Sequence, residues 1–224
     1  MPTPQTLLQN LPQLVTAIGG LGTAAFGLVD ASKVLWGGVN HIGFPGIRHA
    51  VSPLIAGQSA NALPPAKILA TLQANWMNGT NLGSQKSIAK SLIKLNLNPG
   101  NAADLAKATG ADPTVLTAIA TKITAGTSLN SAESDVYSRF DLIVTALLDE
   151  AYQRSDQVYR NWTRALAGAV AVALAIAGGM MVQPNVHLAV SLVVGLLATP
   201  LAPIAKDLST ALATAVNTMQ RVKK

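Results

Sequence analysis

The side chains able to do chemistry in this chain are few and scattered. Three histidines, His41, His49 and His187, stand far apart, whereas a metal needs its ligands within bonding reach of one ion. Asp149, Glu150 and Asp156 cluster around Arg154. Paired carboxylates are the minimum for general acid–base work, but mixed charges at helical spacing equally describe a solvated or subunit-bridging helix face. The stretch GGLGTAAFG at 19–27 imitates a dinucleotide-binding fingerprint in letters only, because it lies inside an apolar run with no strand before it. No Walker-type phosphate loop occurs, and without cysteine there is neither thiolate chemistry nor a disulfide framework. These residues predict a non-enzymatic protein with no cofactor and no metal.

Two features test for nucleic acid. Lys86, Lys90 and Lys94 form an i, i+4 stripe, and AADLAKATGADPTVLTAIATKI at 102–123 has a helix, glycine turn, helix cadence. Its second helix offers Thr114, Thr117, Thr121 and Lys122, with no Arg, Asn or Gln to read bases. The formal charge of +6 is therefore not expected to serve nucleic acid. The lysines are expected to form a solvated face, or one turned to anionic headgroups.

Composition points to a different solvent. Half of the residues are hydrophobic and only 12% are charged, against about a quarter charged in soluble domains. Mean hydropathy is positive, at +0.36. Residues 164–183, RALAGAVAVALAIAGGMMVQ, alternate small and large apolar side chains. A membrane strand needs only about ten residues and a polar inward face, whereas here both faces are apolar and the small residue is alanine, the best helix former. The run is expected to be a helix long enough for a bilayer core of about 30 Å. On it Ala167, Ala171, Ala175 and Gly179 share one i, i+4 ridge, the kind of seam that lets membrane helices approach closely. The plainer alternative is alanine filling without a packing role.

The apolar run at 11–35 carries a second seam through Ala17, Gly20, Ala24 and Gly27. A secretory signal is the competing reading, but no Lys or Arg precedes the run. A third run, 186–204, follows the turn signal Gln183-Pro184-Asn185, with Pro200 and Pro203 expected to kink or end it. Of the 16 Lys and Arg, all but Lys33 fall on one side if the chain crosses three times. By the positive-inside rule the N-terminus is outside, and the main domain and C-terminus are cytoplasmic.

Between the first two spans, Pro64-Pro65, Ser84, Asn101 and Asp112-Pro113 mark starts of short helices. Asn130 with Glu133 resembles a capping box, and nothing breaks the helix from there to Gln183. Val136, Phe140, Ile143, Leu147, Ala151, Val158 and Trp162 form an approximate apolar stripe. The helix is expected to stand as a stalk, the alternative being that it packs on its own domain. Tyr159, Arg160, Trp162 and Arg164 fit a membrane-interface anchor, where aromatic rings and cations meet headgroups.

The expected architecture is thus all-α: an integral membrane protein with three transmembrane helices, a helical cytosolic domain and a long stalk-like helix running into the second span. Its parts are an N-terminal span and flank at 1–39, a cytosolic domain at 40–130, the stalk at 131–163, a transmembrane hairpin at 164–205 and an amphipathic helix at 206–224. The order, with its YRNWTR segment at 159–164, resembles that of bacterial inner-membrane proteins in plan alone. The expected function is a homo-oligomer in the inner membrane, in its sharper form an ion channel or pore between subunits. The alternative is a membrane-anchored scaffold or sensor whose cytosolic helices bind a protein or ligand. Expected partners are the lipid bilayer, further copies of the chain and an unknown cytosolic protein or ligand.

Overall fold

The structure, a computed structural model, describes residues 4–56, 63–182 and 187–203. Among the described residues there is no strand. The helices are α1 (Pro4–Trp36), α2 (Asn40–Val51), α3 (Pro65–Met77), α4 (Leu82–Asn96), α5 (Ala102–Thr109), α6 (Pro113–Ala125), α7 (Ser131–Val182) and α8 (Leu188–Pro203), with a 3-10 turn at Ser52–Leu54. The helix expected at 206–224 and the turn at 183–186 lie outside the described residues. The chain divides into two compact units, Asn40–Tyr159 and Met1–Val39 with Arg160–Lys224, and α7 contributes to both.

Side-chain caps set the starts of α4, α6 and α7. Asn130 and Glu133 cap α7 reciprocally: Asn130 Oδ1 accepts from the Glu133 N–H at 2.8 Å, and Glu133 Oε2 accepts from the Asn130 N–H at 2.9 Å. Asp112 accepts from the N–H groups of Thr114 and Val115 ahead of Pro113. Helix α4 is capped by Asn81 rather than by Ser84. Asn81 is extended, which aims its side-chain oxygen at the Ser84 N–H, 2.8 Å away. Asn101 precedes α5 as expected, but its side chain closes the preceding turn, donating to the Asn96 carbonyl and accepting from the Asn98 N–H.

The Asn40–Tyr159 unit is built round a core of large apolar side chains. Phe44 and Ile47 of α2, Ile68 and Leu72 of α3, Ile93 of α4, Leu105 of α5 and Leu116 of α6 meet in one buried cluster. Helix α7 enters it through Phe140, Val144, Leu148 and Tyr152. The stretch expected to stand as a stalk is therefore central to the domain up to Tyr159. The buried stripe also differs in phase from the expected one, with Ile143 and Val158 exposed and Val144 and Leu148 buried. A period of 3.6 allows steps of three or four, and the choice of step depends on what packs opposite. Burial pushes the Tyr152 phenol up to about 12, so it stays neutral in the core.

An ion-pair ladder covers one side of this core. Lys90 and Lys94 of α4 donate to the two oxygens of Asp141 at 2.5 and 2.9 Å, and Lys86 pairs with Asp149. The lysine stripe is thus neither an unpaired solvated face nor one turned to headgroups: it faces α7. Burial alone would raise the Asp141 carboxyl, but the hydrogen bonds and charges of Lys90 and Lys94 outweigh it and hold the group below its ordinary value. Lys94 is raised, led by its hydrogen bond to Asp141 and helped by Tyr137, against partial burial.

Trp76 clasps the two ends of the domain. Its Nε1 donates to the carbonyl of Asn40, the first residue of the unit, at 2.7 Å, and its ring meets that of Tyr159, the last, edge-on at 6.0 Å. Gly43 is required beneath it, because a Cβ there would collide with the indole.

Two outcomes follow for the full chain in detergent. W76A lowers the stability of the domain by about 3–5 kcal/mol through lost packing, and W76F by about 1 kcal/mol through the lost hydrogen bond; equal effects from the two variants contradict the clasp. Because the folded pKa of Asp141 lies below its ordinary 3.8, its contribution is present above that value and fades as pH falls through the folded pKa. D141N therefore costs about 1 kcal/mol at neutral pH and shrinks the loss of melting temperature on acidification. An acid limb unchanged by the substitution contradicts the ladder.

Candidate functional site in the apolar helical unit

The second unit, Met1–Val39 with Arg160–Lys224, contains α1, the end of α7 and α8. Helices α1 and α7 are long and apolar enough to cross a membrane, through Gln13–Leu35 and the apolar end of Ser131–Met181; α8 is a shorter apolar helix.

What meets at the centre of this unit is small. Ala25 of α1, Ala171 of α7 and Ala198 of α8 form its buried core, with Ile18, Leu21, Val170 and Leu174 partly buried around them. Gly22 lies so near α8 that a Cβ there would collide with the Ala198 carbonyl, and a Cβ at Gly195 would collide with the Val172 backbone. Glycine at these positions permits backbone-to-backbone contact. Large apolar side chains point the other way: Leu28, Val34, Leu166, Met180, Met181, Val193 and Leu196 are all exposed, Met181 at 87%.

The packing loosens at one end. Leu14, Ala17, Ile18, Leu174, Gly178 and Gly179 of α1 and α7 face Val190, Ser191 and Val194 of α8 across a cleft of about 500 Å³. Ser191 is its one polar side chain.

The residues singled out in sequence separate accordingly. Ala167 and Ala171 are buried, and Ala175, also buried, lines the cleft with Gly179 and Ala17. Gly20, Ala24 and Gly27 face outward, and a Cβ on Gly20 or Gly27 meets nothing within 4 Å. Helix α1 instead packs with Gly22 and Ala25, in the same glycine-rich run. Gly195, the one glycine between 186 and 204, was a similar signal in the third run. Arg160, Trp162 and Arg164 are exposed, Trp162 at 54%, while Tyr159 lies against Trp76 in the other unit. At the end of α1, Lys33 pairs with Asp30 at 2.6 Å.

Several of the ionisable residues singled out in sequence are engaged elsewhere. Among the described residues no group of three His, Asp or Glu could hold a metal. Asp149 is engaged by Lys86, and Glu150 lies 3.7 Å from Arg154 on an exposed face. Lys122 of the second helix of the glycine-turn pair donates to Glu133 at 2.7 Å.

No family model, curated protein or solved structure matches the chain. Its geometry and composition alone support a functional reading.

The tight end makes a differential forecast. G22V and G195V overpack the unit and destabilise it by about 1–3 kcal/mol, whereas A169V and A173V, on the exposed face of α7, leave its thermal stability in detergent nearly unchanged. Equal losses from both pairs contradict the assignment of faces.

Proposed function

We propose that the chain is a non-enzymatic integral membrane protein of three spans that holds the 40–159 helical domain in the cytoplasm as a scaffolding or binding module and self-associates in the bilayer. One observation carries this: the unit of α1, α7 and α8 centres on Ala25, Ala171 and Ala198 and, although Val29 is buried, leaves most of its large apolar residues, such as Leu28, Leu166, Met180 and Leu196, exposed. Water drives large apolar side chains inward. Hydrocarbon exerts no such drive, and small residues then collect where helices touch. Helix α8 is shorter than the roughly 20 residues a span needs, but its close contacts at Gly22 and Gly195 and the apolar run over 186–204 support a third crossing.

The outward ridge of Gly20, Ala24 and Gly27 supports self-association. The pore between subunits has weaker support. No Asp, Glu, Lys or Arg occurs at 1–29 or 165–205, so a lumen lined by these faces would be apolar and would shed water. The cytoplasmic side for the domain, in the inner membrane, rests on the distribution of Lys and Arg.

Because the chain has no cysteine, single cysteines report topology cleanly. In intact cells a membrane-impermeant maleimide modifies H187C and leaves T127C unmodified until the membrane is opened. Modification of T127C from outside overturns the orientation, and release of the chain from membranes without detergent overturns the membrane reading. In detergent the particle mass corresponds to more than one chain, and G20L with G27L lowers it; a monomeric wild type contradicts self-association.

A further inference from the structure

The apolar unit is sealed at one end and open at the other. At Gly22 and Gly195 an added Cβ meets backbone, of Ala198 and Val172 respectively, whereas at Gly178 an added Cβ meets nothing within 4 Å. Both ends are built from small residues, but among the described residues only one is filled by a neighbouring helix. We propose that the cleft at the open end is a binding site for one acyl chain of a membrane lipid, an inference that rests on the membrane reading above.

Size, chemistry and surroundings fix the occupant. A recess of about 500 Å³ falls in the range of ligand sites, about 300–1,000 Å³. Left empty, its lining loses dispersion contacts on every wall. Those walls are Leu14, Ile18, Leu174, Val190 and Val194, with the Ser191 hydroxyl the one polar side chain. No Asp, Glu, Lys or Arg occurs at 1–29 or 165–205, so an ionised ligand would be buried there without a counter-charge, at high cost. The complement of such a lining is neutral and hydrocarbon. The cleft lies in a unit whose exterior carries Leu188, Val193 and Leu196 exposed, so on the membrane reading acyl chains are the surrounding solvent. Binding is then an exchange of bulk hydrocarbon for a chain held between three helices, with Ala17, Gly178 and Gly179 supplying the space.

The full chain in phosphatidylcholine nanodiscs carrying a trace of phosphatidylcholine with a diazirine on its acyl chain provides the test. Photolysis is expected to label peptides containing Leu174, Val190 and Val194 at least fivefold more than those containing the equally apolar, exposed Leu28 and Leu196. Native mass spectrometry after stringent delipidation is expected to find one retained lipid per chain, falling at least tenfold in A17F with G178F and persisting in L28F with L196F, at exposed positions away from the cleft. Uniform labelling, or retention that ignores the filling variants, overturns the proposal. So does cleft labelling that appears only when 204–224 is removed, or a cleft cross-linked to a second copy without lipid. The labelling arm uses the unaltered chain, so it decides even if a filled variant misfolds. A chain that leaves the membrane without detergent refutes the membrane reading itself; one that stays embedded with an unlabelled cleft refutes only the lipid site.

Discussion

One helix has to bury its faces under two different rules. Over residues 131–159, α7 presents Phe140, Val144, Leu148 and Tyr152 to a core of large side chains, as water demands. From Arg160 onward it presents Ala167, Ala171 and Ala175 inward and Leu166 and Met180 outward. The helix is unbroken through this change, so its two parts differ only in what their side chains do. Everything else in the fold follows from meeting one of these rules. Charges, caps and Trp76 organise the first unit; alanine and glycine organise the second.

The polar interactions are correspondingly lopsided. In the Asn40–Tyr159 unit, ion pairs join distant elements at Asp141, Asp149 and Glu133. In the other unit Asp30 and Lys33 pair one turn apart. Thr23 bonds back to the Gly19 carbonyl at 3.0 Å, which meets its need within the helix. A unit whose helices touch through small residues suits hydrocarbon. Its one polar side chain in the cleft, Ser191, is too little to recruit an ion, which is why the cleft reads as a place for hydrocarbon.

Much of this was legible in the sequence, and the rest was hidden for physical reasons. The all-helical class, the reciprocal cap at Asn130 and Glu133, the unbroken α7 and the inward Ala167, Ala171 and Ala175 each follow from local pattern or spacing. The partner of the lysine stripe does not, because Lys86 and Asp149 are 63 positions apart and only tertiary packing brings them together. The packed face of α1 was ambiguous for the opposite reason: Gly20 and Gly27 lie on one side, Gly22 and Ala25 on another, and both sides offer small residues. Only the approach of α8 chooses between them. The roles of Gly43 beneath Trp76 and of Gly195 against Val172 are likewise properties of a neighbour, which composition does not announce.

The measurement that tests the two-solvent account most directly is a nitroxide scan of residues 165–181, placed one at a time in the cysteine-free chain and reconstituted in vesicles. Accessibility to oxygen is predicted to oscillate with the helical period, with minima at Ala167, Ala171 and Ala175 and maxima at Leu166, Ala173 and Met180, while a water-soluble nickel reagent stays excluded from the middle of the run. Minima at the large residues, or free access of the nickel reagent, would mean that this end of α7 packs for water, and the account would fail.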